Sequence, residues 1–546
     1  MQSTTTSAEP LLPTYEDAEC MAVQFLLTTA GLVDLFPLDT FFLDLKAWVD
    51  GRARNEYVER SSLFYLVLAI GAQAFLPECQ QYQAEHYFSR GRQQALNTFT
   101  EAPSLMTVQA YVLITVYLLG ACRRNSAYMQ FGIACRATHA LGIHLDRTHS
   151  LFDARESQER RSTWRSVRML DVFFSASLGR PPATCNLSVP GRGEVPEAIN
   201  ADEFSRKILS LTSIYDRIVI EVYERKAIST HLAENISQQL RAWTEHMPDC
   251  LNLQMLPSYD KEKLTGVLAA THVISAYHGA IILLTRPFLT SQIVQDMNRK
   301  RKAGESPTEI RGCPAEIAVI KKFADACVDS SLKGLDIVES LLEYPNLPKR
   351  LPFIINAVCN MALVLGAAIF ADQDKNFPLE EGLKRSLNIL RHFTPHDPHA
   401  SRYEQIITYL SDAVEEYIIQ RKRQAEELRE QEVSLLFGSV SQPKGKVVVH
   451  PLLPTLAHTP LEIDISAPDL LSTGTVQMSD RSTPASHALS HNASLGTFQF
   501  SNIEAPVPNA MQPPSSIFGD ANLAFPDDAY LFMQQEPSIF GFYADS

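Results

Sequence analysis

No two of the nine cysteines stand three positions apart, so the chain contains no Cys-x-x-Cys. They fall at Cys20, Cys79, Cys122, Cys135, Cys185, Cys250, Cys313, Cys327 and Cys359. A zinc cluster gathers several thiolates within about 2.3 Å of one metal, and short spacings on one loop or helix achieve that. This spacing excludes a locally built cluster. Sparse, irregular cysteines fit a reducing compartment, where the free thiol packs as a small hydrophobe. The N-terminus, MQSTTTSAEP, has neither a basic nor an apolar stretch, which argues against a secretory signal. Long hydrophobic runs are scarce. The longest, 353–370, carries Asn356, Asn360 and Gly366 and reads as a buried core helix rather than a membrane span. Bulk basic charge is missing as well. A net charge of −14 excludes wrapping nucleic acid by wholesale phosphate neutralisation, though not a small basic patch. There is no nucleophile elbow, P-loop or dinucleotide fingerprint, and Gly31, Gly51, Gly71 and Gly91 are isolated. No catalytic residue is assigned, and the chain is not expected to be an enzyme.

What is present is helical periodicity over most of the 546 residues. Residues 1–14 read as disordered. From 15 to 437, apolar residues recur at three- and four-residue steps, as at Leu63, Leu66, Val67, Ile70 and Ala74. The same reading applies to 85–99, 105–120, 126–142, 157–179, 206–247, 264–285, 314–342, 353–371, 379–393 and 402–435. Pro77, Pro103, Gly142, the run Gly179-Arg180-Pro181-Pro182, Pro248, Pro287, Pro352 and Pro395 punctuate them. Ser104 is placed as an N-cap and Gly142 as a C-cap. Two-residue strand patterns are few, so the class is all-α: one large multi-helix domain, divisible into two lobes near 186–205 or 290–312. The stretch 412–435 interleaves acids and bases along a helix, the pattern of a solvated face.

After Gly438 the composition changes. Twelve of the 32 prolines lie in 438–546. From Ser482 to Ser546 there is no Lys or Arg, against six acids and nine aromatics, and Ser-Ile-Phe-Gly occurs twice, at 516–519 and 538–541. Such a segment buries too little apolar surface to offset its chain entropy and reads as a disordered tail. Acids beside spaced rings keep those rings solvated and available for weak docking into apolar grooves. Phe518, Phe525, Phe532, Phe540 and Phe542 are the candidate activation residues, and transcription machinery or co-activators are the partners expected for 482–546.

A sequence of motifs in 85–185 carries a resemblance. Arg-Ala-x-His-Ala-Leu-Gly-Ile-His occupies 136–144, with His139, Gly142 and His144. Arg160, Arg161 and Trp164 form Arg-Arg-x-x-Trp. Leu170-Asp171 and Gly179-Arg180-Pro181-Pro182 follow. Further on come Leu240-Arg241-Ala242-Trp243, Tyr277-His278, and Arg286-Pro287-Phe288-Leu289. In this order they resemble the fungal-specific transcription factor domain, the middle homology region of zinc binuclear cluster regulators, over roughly 20–437. The resemblance implies a helical regulatory domain that restrains or licenses activation, sometimes in response to a small molecule. It also implies nuclear localisation, and DNA contact through an N-terminal zinc cluster. The sequence begins almost directly at the middle domain, so three readings stand side by side. A zinc cluster is encoded upstream of Met1; or DNA is reached through a zinc-cluster partner; or the chain is a modulator that never touches DNA. No cofactor is expected in this chain, zinc entering only with such a cluster, and a homodimer is the alternative assembly to a zinc-cluster partner. A small-molecule sensor is the first alternative function, an unrelated helical enzyme or scaffold the second.

Two histidine sets invite a metal reading, His139, His144, Asp146 and His149, and His392, His396 and His399. Neither has the i, i+4 pair with a Glu base of a helical hydrolase site, so both are read as core or surface histidines. Arg180 and Arg286 each precede a proline, which favours extended backbone and a helix exit. Their guanidinium groups are expected on buried carbonyls or on Asp171. Arg299, Lys300, Arg301 and Lys302 read as a basic loop and nuclear localisation signal.

Overall fold

The computed structural model describes residues 13–51, 58–76, 80–99, 103–184, 203–224, 228–245, 261–302 and 314–438. Fifteen α-helices run through them, with no strand among the described residues. They are α1 (Tyr15–Thr28), α2 (Leu38–Val49), α3 (Val58–Phe75), α4 (Gln81–Phe99), α5 (Leu105–Gly120), α6 (Arg124–Ala140), α7 (Asp146–His149) and α8 (Ala154–Leu178). Then come α9 (Glu203–Arg217), α10 (Thr230–Glu245), α11 (Lys261–Lys302), α12 (Pro314–Leu341), α13 (Pro352–Phe370), α14 (Leu379–Phe393) and α15 (Pro398–Phe437). The expected tail beyond Gly438, with its five candidate activation phenylalanines, and residues 1–12 lie outside the described residues.

Local chemistry sets many of the ends. Ser104 caps α5 in a full capping box: its Oγ accepts from the Thr107 amide, and the Thr107 Oγ1 accepts from the Ser104 amide. At the end of α6 the Ile143 amide bonds the Thr138 carbonyl and the Gly142 amide bonds the His139 carbonyl. Gly142 has φ +64°, so this is a Schellman close that needs the missing Cβ. Asp153 accepts from the Glu156 amide at the start of α8, and left-handed Gly179 ends it.

Described residues up to Ala425 fall in one compact unit, and Glu426–Phe437, the last turns of α15, belong to a second. Of the two expected lobe joins, 186–202 lies outside the described residues and 290–302 is continuous helix. Within the first unit the buried apolar side chains form two clusters. One is built on α1, α3, α5 and α8, the other on α12, α13 and α14, and α11 supplies both. Each fully buried Leu, such as Leu66 or Leu113, contributes roughly 1.5–3 kcal/mol relative to exposure. By length and composition alone α11 and α13 could each cross a membrane; here α13 is a core helix with 14 buried residues.

Two sequence expectations are corrected. The single helix over 206–247 is broken: α9 passes into a π-helical segment, Ile218–Glu224, before α10. Ile218, Val219, Ile220 and Val222 are β-branched and crowd a regular turn. The helix over 264–285 does not stop at Pro287 but continues to Lys302. A proline leaves the carbonyl four residues earlier without its amide partner. Here that carbonyl belongs to Leu283, and the Tyr223 hydroxyl donates to it at 2.7 Å. The broken helix thus presents the tyrosine that mends the proline. The basic run Arg299–Lys302 accordingly ends a helix rather than forming a loop, at the terminus that favours cations; its four side chains lie outside the described residues.

Candidate functional site: motif joints beside a cavity

The motif residues converge on helix ends. His149, buried, donates from Nε2 to the Ile143 carbonyl at 2.9 Å, and Ser157 Oγ donates to the His149 carbonyl at 2.6 Å. The rings of His139 and His144 meet edge to face at 4.8 Å, with Trp164 6.2 Å beyond His144. Burial, then the neighbouring His139, lowers the pKa of His144. Arg160 donates from Nε to Glu156 at 3.0 Å and lies over the Phe152 ring. Arg161 is half-buried on the same helix.

The second histidine set is dispersed. His399 is buried with Nε2 on the Leu119 carbonyl and Nδ1 3.5 Å from Cys122 Sγ. His392 packs on Phe393, and His396 offers its carbonyl to Arg350. Among the described residues no group of three or more His, Cys, Asp or Glu could hold a metal ion. Of the five cysteines described, Cys135, Cys327 and Cys359 are buried on α6, α12 and α13. Burial pushes the Cys359 thiol up to about 12.

Asp171 closes the turn after α8. Its carboxylate accepts from the Ala183 amide at 3.0 Å, the Thr184 amide at 2.8 Å and the Thr184 hydroxyl. Pro181 and Pro182 stiffen the intervening chain. The cation at this joint is Arg168, which donates to Thr184 and to Asp216 of α9. The expected pairing of Arg180 with Asp171 does not occur. Arg180 is exposed, its guanidinium 5.5 Å over the Tyr128 ring, because Asp171 is already filled by the turn it caps. Arg286 is corrected too. It is buried inside α11, not at an exit, with its guanidinium on the Tyr223 hydroxyl at 3.1 Å. Phe288 stacks on Phe323 at 4.8 Å. Tyr277 stacks on Trp243 at 5.1 Å, and His278 is buried with its pKa lowered to about 4 by desolvation.

Beside this joint α8, α9, α11 and α13 line a cavity of about 140 Å³. Its wall is mostly apolar, including Leu32, Met169, Phe173, Ile282, Phe353 and Met361. One stripe of α11 runs along it: His272, Ser275, Ala276, Gly279, Leu283 and Arg286, at three- and four-residue steps. Gly279 has no Cβ for a reason: one there would lie 2.7 Å from the Tyr215 hydroxyl, which donates to the Ala276 carbonyl. On this stripe His272 Nε2 and Ser275 Oγ are buried polar atoms that lack a partner. Burial lowers the His272 pKa to about 4 despite the carbonyls of Ala30 and Leu268. Sequence reasoning assigned neither residue; the available signal was a histidine and a serine one turn apart on an otherwise apolar helical face.

Residues 29–243 match the family model described as the fungal specific transcription factor domain. Tyr277, His278 and Arg286–Phe288 lie beyond the matched span. Filamentous growth regulator 27 of Candida albicans is 24% identical over 424 residues, 72% of this chain and 52% of that protein. Transcription factor FBD3 of Gibberella moniliformis is 23% identical over 263 residues, 44% of this chain and 34% of its own length. Activator of stress genes 1 of Saccharomyces cerevisiae is 23% identical over 316 residues, 51% of this chain and 32% of that protein. The chain spans between about a third and about half the length of these curated relatives. No solved structure matches. Residues 29–243 are thus similar to the fungal specific transcription factor domain, and the relatives named above are fungal transcription regulators.

Proposed function

We propose that this chain regulates RNA polymerase II transcription in a fungal nucleus, as a regulator and not an enzyme. Residues 15–437 are the regulatory domain in this reading, and 438–546 the activating tail. The family match over 29–243 carries the proposal. The structure supports it in one respect: His149, Asp171 and Arg160 are spent on helix ends and buried contacts, the work of a scaffold. Direct DNA binding through a zinc cluster is the route the family implies; among the described residues Cys135, Cys327 and Cys359 are buried on three different helices. Recruitment by a zinc-cluster partner, or as a homodimer, is the alternative route to DNA. Arg299–Lys302 is the nuclear localisation signal of this reading, and the tail aromatics dock co-activators.

The test is a reporter assay with the full chain fused to a heterologous DNA-binding module. Activation is expected, with at least a tenfold drop when Phe518, Phe525, Phe532, Phe540 and Phe542 are all replaced by Ala. A reporter indifferent to the fusion and to those replacements would remove the activation reading. Replacing Arg299–Lys302 by Ala is expected to move a fluorescent fusion out of the nucleus.

A further inference from the structure

We propose that the cavity between α8, α9, α11 and α13 is a binding site for a small, neutral aromatic alcohol, held by one hydroxyl between His272 and Ser275. Three observations lead there. The volume, about 140 Å³, is close to that of an engineered protein cavity that takes up benzene, which sets the occupant at about six to eight non-hydrogen atoms. The wall offers ring edges: Phe173 meets Phe353 at 4.9 Å and 76°, and His272 meets Phe353 at 6.2 Å and 89°. An aromatic guest continues this edge-to-face arrangement.

The third observation is polar. Other polar groups on the wall are already engaged. Tyr215 donates to the Ala276 carbonyl, Ser177 to the Phe173 carbonyl, Asn360 to Asn356, Asn356 to Tyr403, and Arg286 to Tyr223. His272 and Ser275 differ, though they are only 3% and 4% exposed. The His272 Nδ1 lies 2.9 Å from the Ala30 carbonyl, which can only accept, so Nδ1 carries the proton. The deeply buried ring is neutral at cellular pH, and Nε2 is left as an acceptor without a donor. One turn on, Ser275 Oγ holds a proton to give. A ligand hydroxyl satisfies both at once, donating to Nε2 and accepting from Ser275. A carboxylate has only acceptors and meets the Nε2 lone pair head on; a hydrocarbon leaves both groups unpaired, the costly case in a buried site.

The inference goes beyond the regulatory reading, and its test reads binding without transcription, so the two fail separately. Isothermal titration of the purified full chain with phenol, toluene and benzoate is the experiment. Phenol is expected to bind at least tenfold tighter than toluene, which has the same number of non-hydrogen atoms. Ser275→Ala should shrink that preference several-fold, and Ala176→Leu, which fills the space from α8, should abolish phenol binding while the circular dichroism stays helical. Equal affinity for phenol and toluene would overturn the proposal. So would benzoate outbinding phenol, which would shift recognition to Arg286. Heat evolved by no compound would mean a site satisfied by water alone, and would overturn it equally.

Discussion

Arg168 and Arg421 each stand between two aspartates, yet the two clusters do different work. Arg168 faces Asp216 and Asp171, with side chains 7%, 9% and 3% exposed. Arg421 faces Asp372 and Asp374, at 25%, 29% and 16%. The first joins α8 to α9 and to the turn after Pro182, and each carboxylate oxygen of Asp171 accepts a backbone amide. The second ties α15 to the turn after α13, with Tyr417 donating to Asp372 at 2.8 Å. Coulomb attraction is common to both. What separates them is the cost of leaving a charge behind, high where water is excluded and small where it is not.

The sharpest way to break this contrast is Arg168→Met. Two buried carboxylates would lose their cation, and a loss of about 5 kcal/mol is expected in urea denaturation, the upper end for a buried pair deprived of one partner. A loss under 1 kcal/mol would mean that the joint is wetter than its geometry shows.

Titration separates buried from surface groups by pH window. Desolvation lowers His272, His278 and His399 to about 4. Each folded value lies below the unfolded one near 6.5, so each contribution is intact above pH 6.5 and drains away as the pH falls toward 4. Asp397 runs the other way: burial raises it to about 6, so its penalty is relieved over part of the same range. Three histidines outweigh one aspartate, and stability should fall by roughly 4 kcal/mol between pH 7 and pH 5. The surface cluster answers only below that window. Hydrogen bonds from Arg421 lower Asp374, so its contribution is lost as the pH drops beneath the ordinary carboxylate range. A flat profile from pH 7 to 5 would refute the buried-histidine account.

Tyr223→Phe tests a part-buried hydroxyl that also accepts from Arg286. It removes the donor to the Leu283 carbonyl, and a cost of about 1–3 kcal/mol is expected by denaturation, with faster amide exchange around Pro287. Arg421→Ala is the mildest change. It should cost about 1 kcal/mol or less, and the difference should shrink further in 1 M salt.

Sequence reading reached what short range decides. The Ser104 N-cap, the glycines at 142 and 179 and the apolar periods of α5 and α13 depend on residues within a few positions of one another. It failed at Pro287 because the hydroxyl that rescues the Leu283 carbonyl comes from Tyr223, 60 residues from Leu283 in sequence. Arg168 escaped for a similar reason. Asp171 lies one turn away, but Asp216, which completes the pair, is 48 residues distant. The cavity is the extreme case, since four helices must assemble before it exists.

Pro287 sits 15 residues before the end of α11. At 1.5 Å per residue the segment beyond it is an arm about 22 Å long. Leu283 and Arg286, which border the cavity, lie at its pivot, and Tyr223 is the strut against which it rests. With the proline having removed the regular helical bond, the Tyr223 hydroxyl braces this point together with Phe288, stacked on Phe323 of α12. A change of about 10° there carries Lys302 about 4 Å, converting a small adjustment beside the cavity into a displacement of the basic tip.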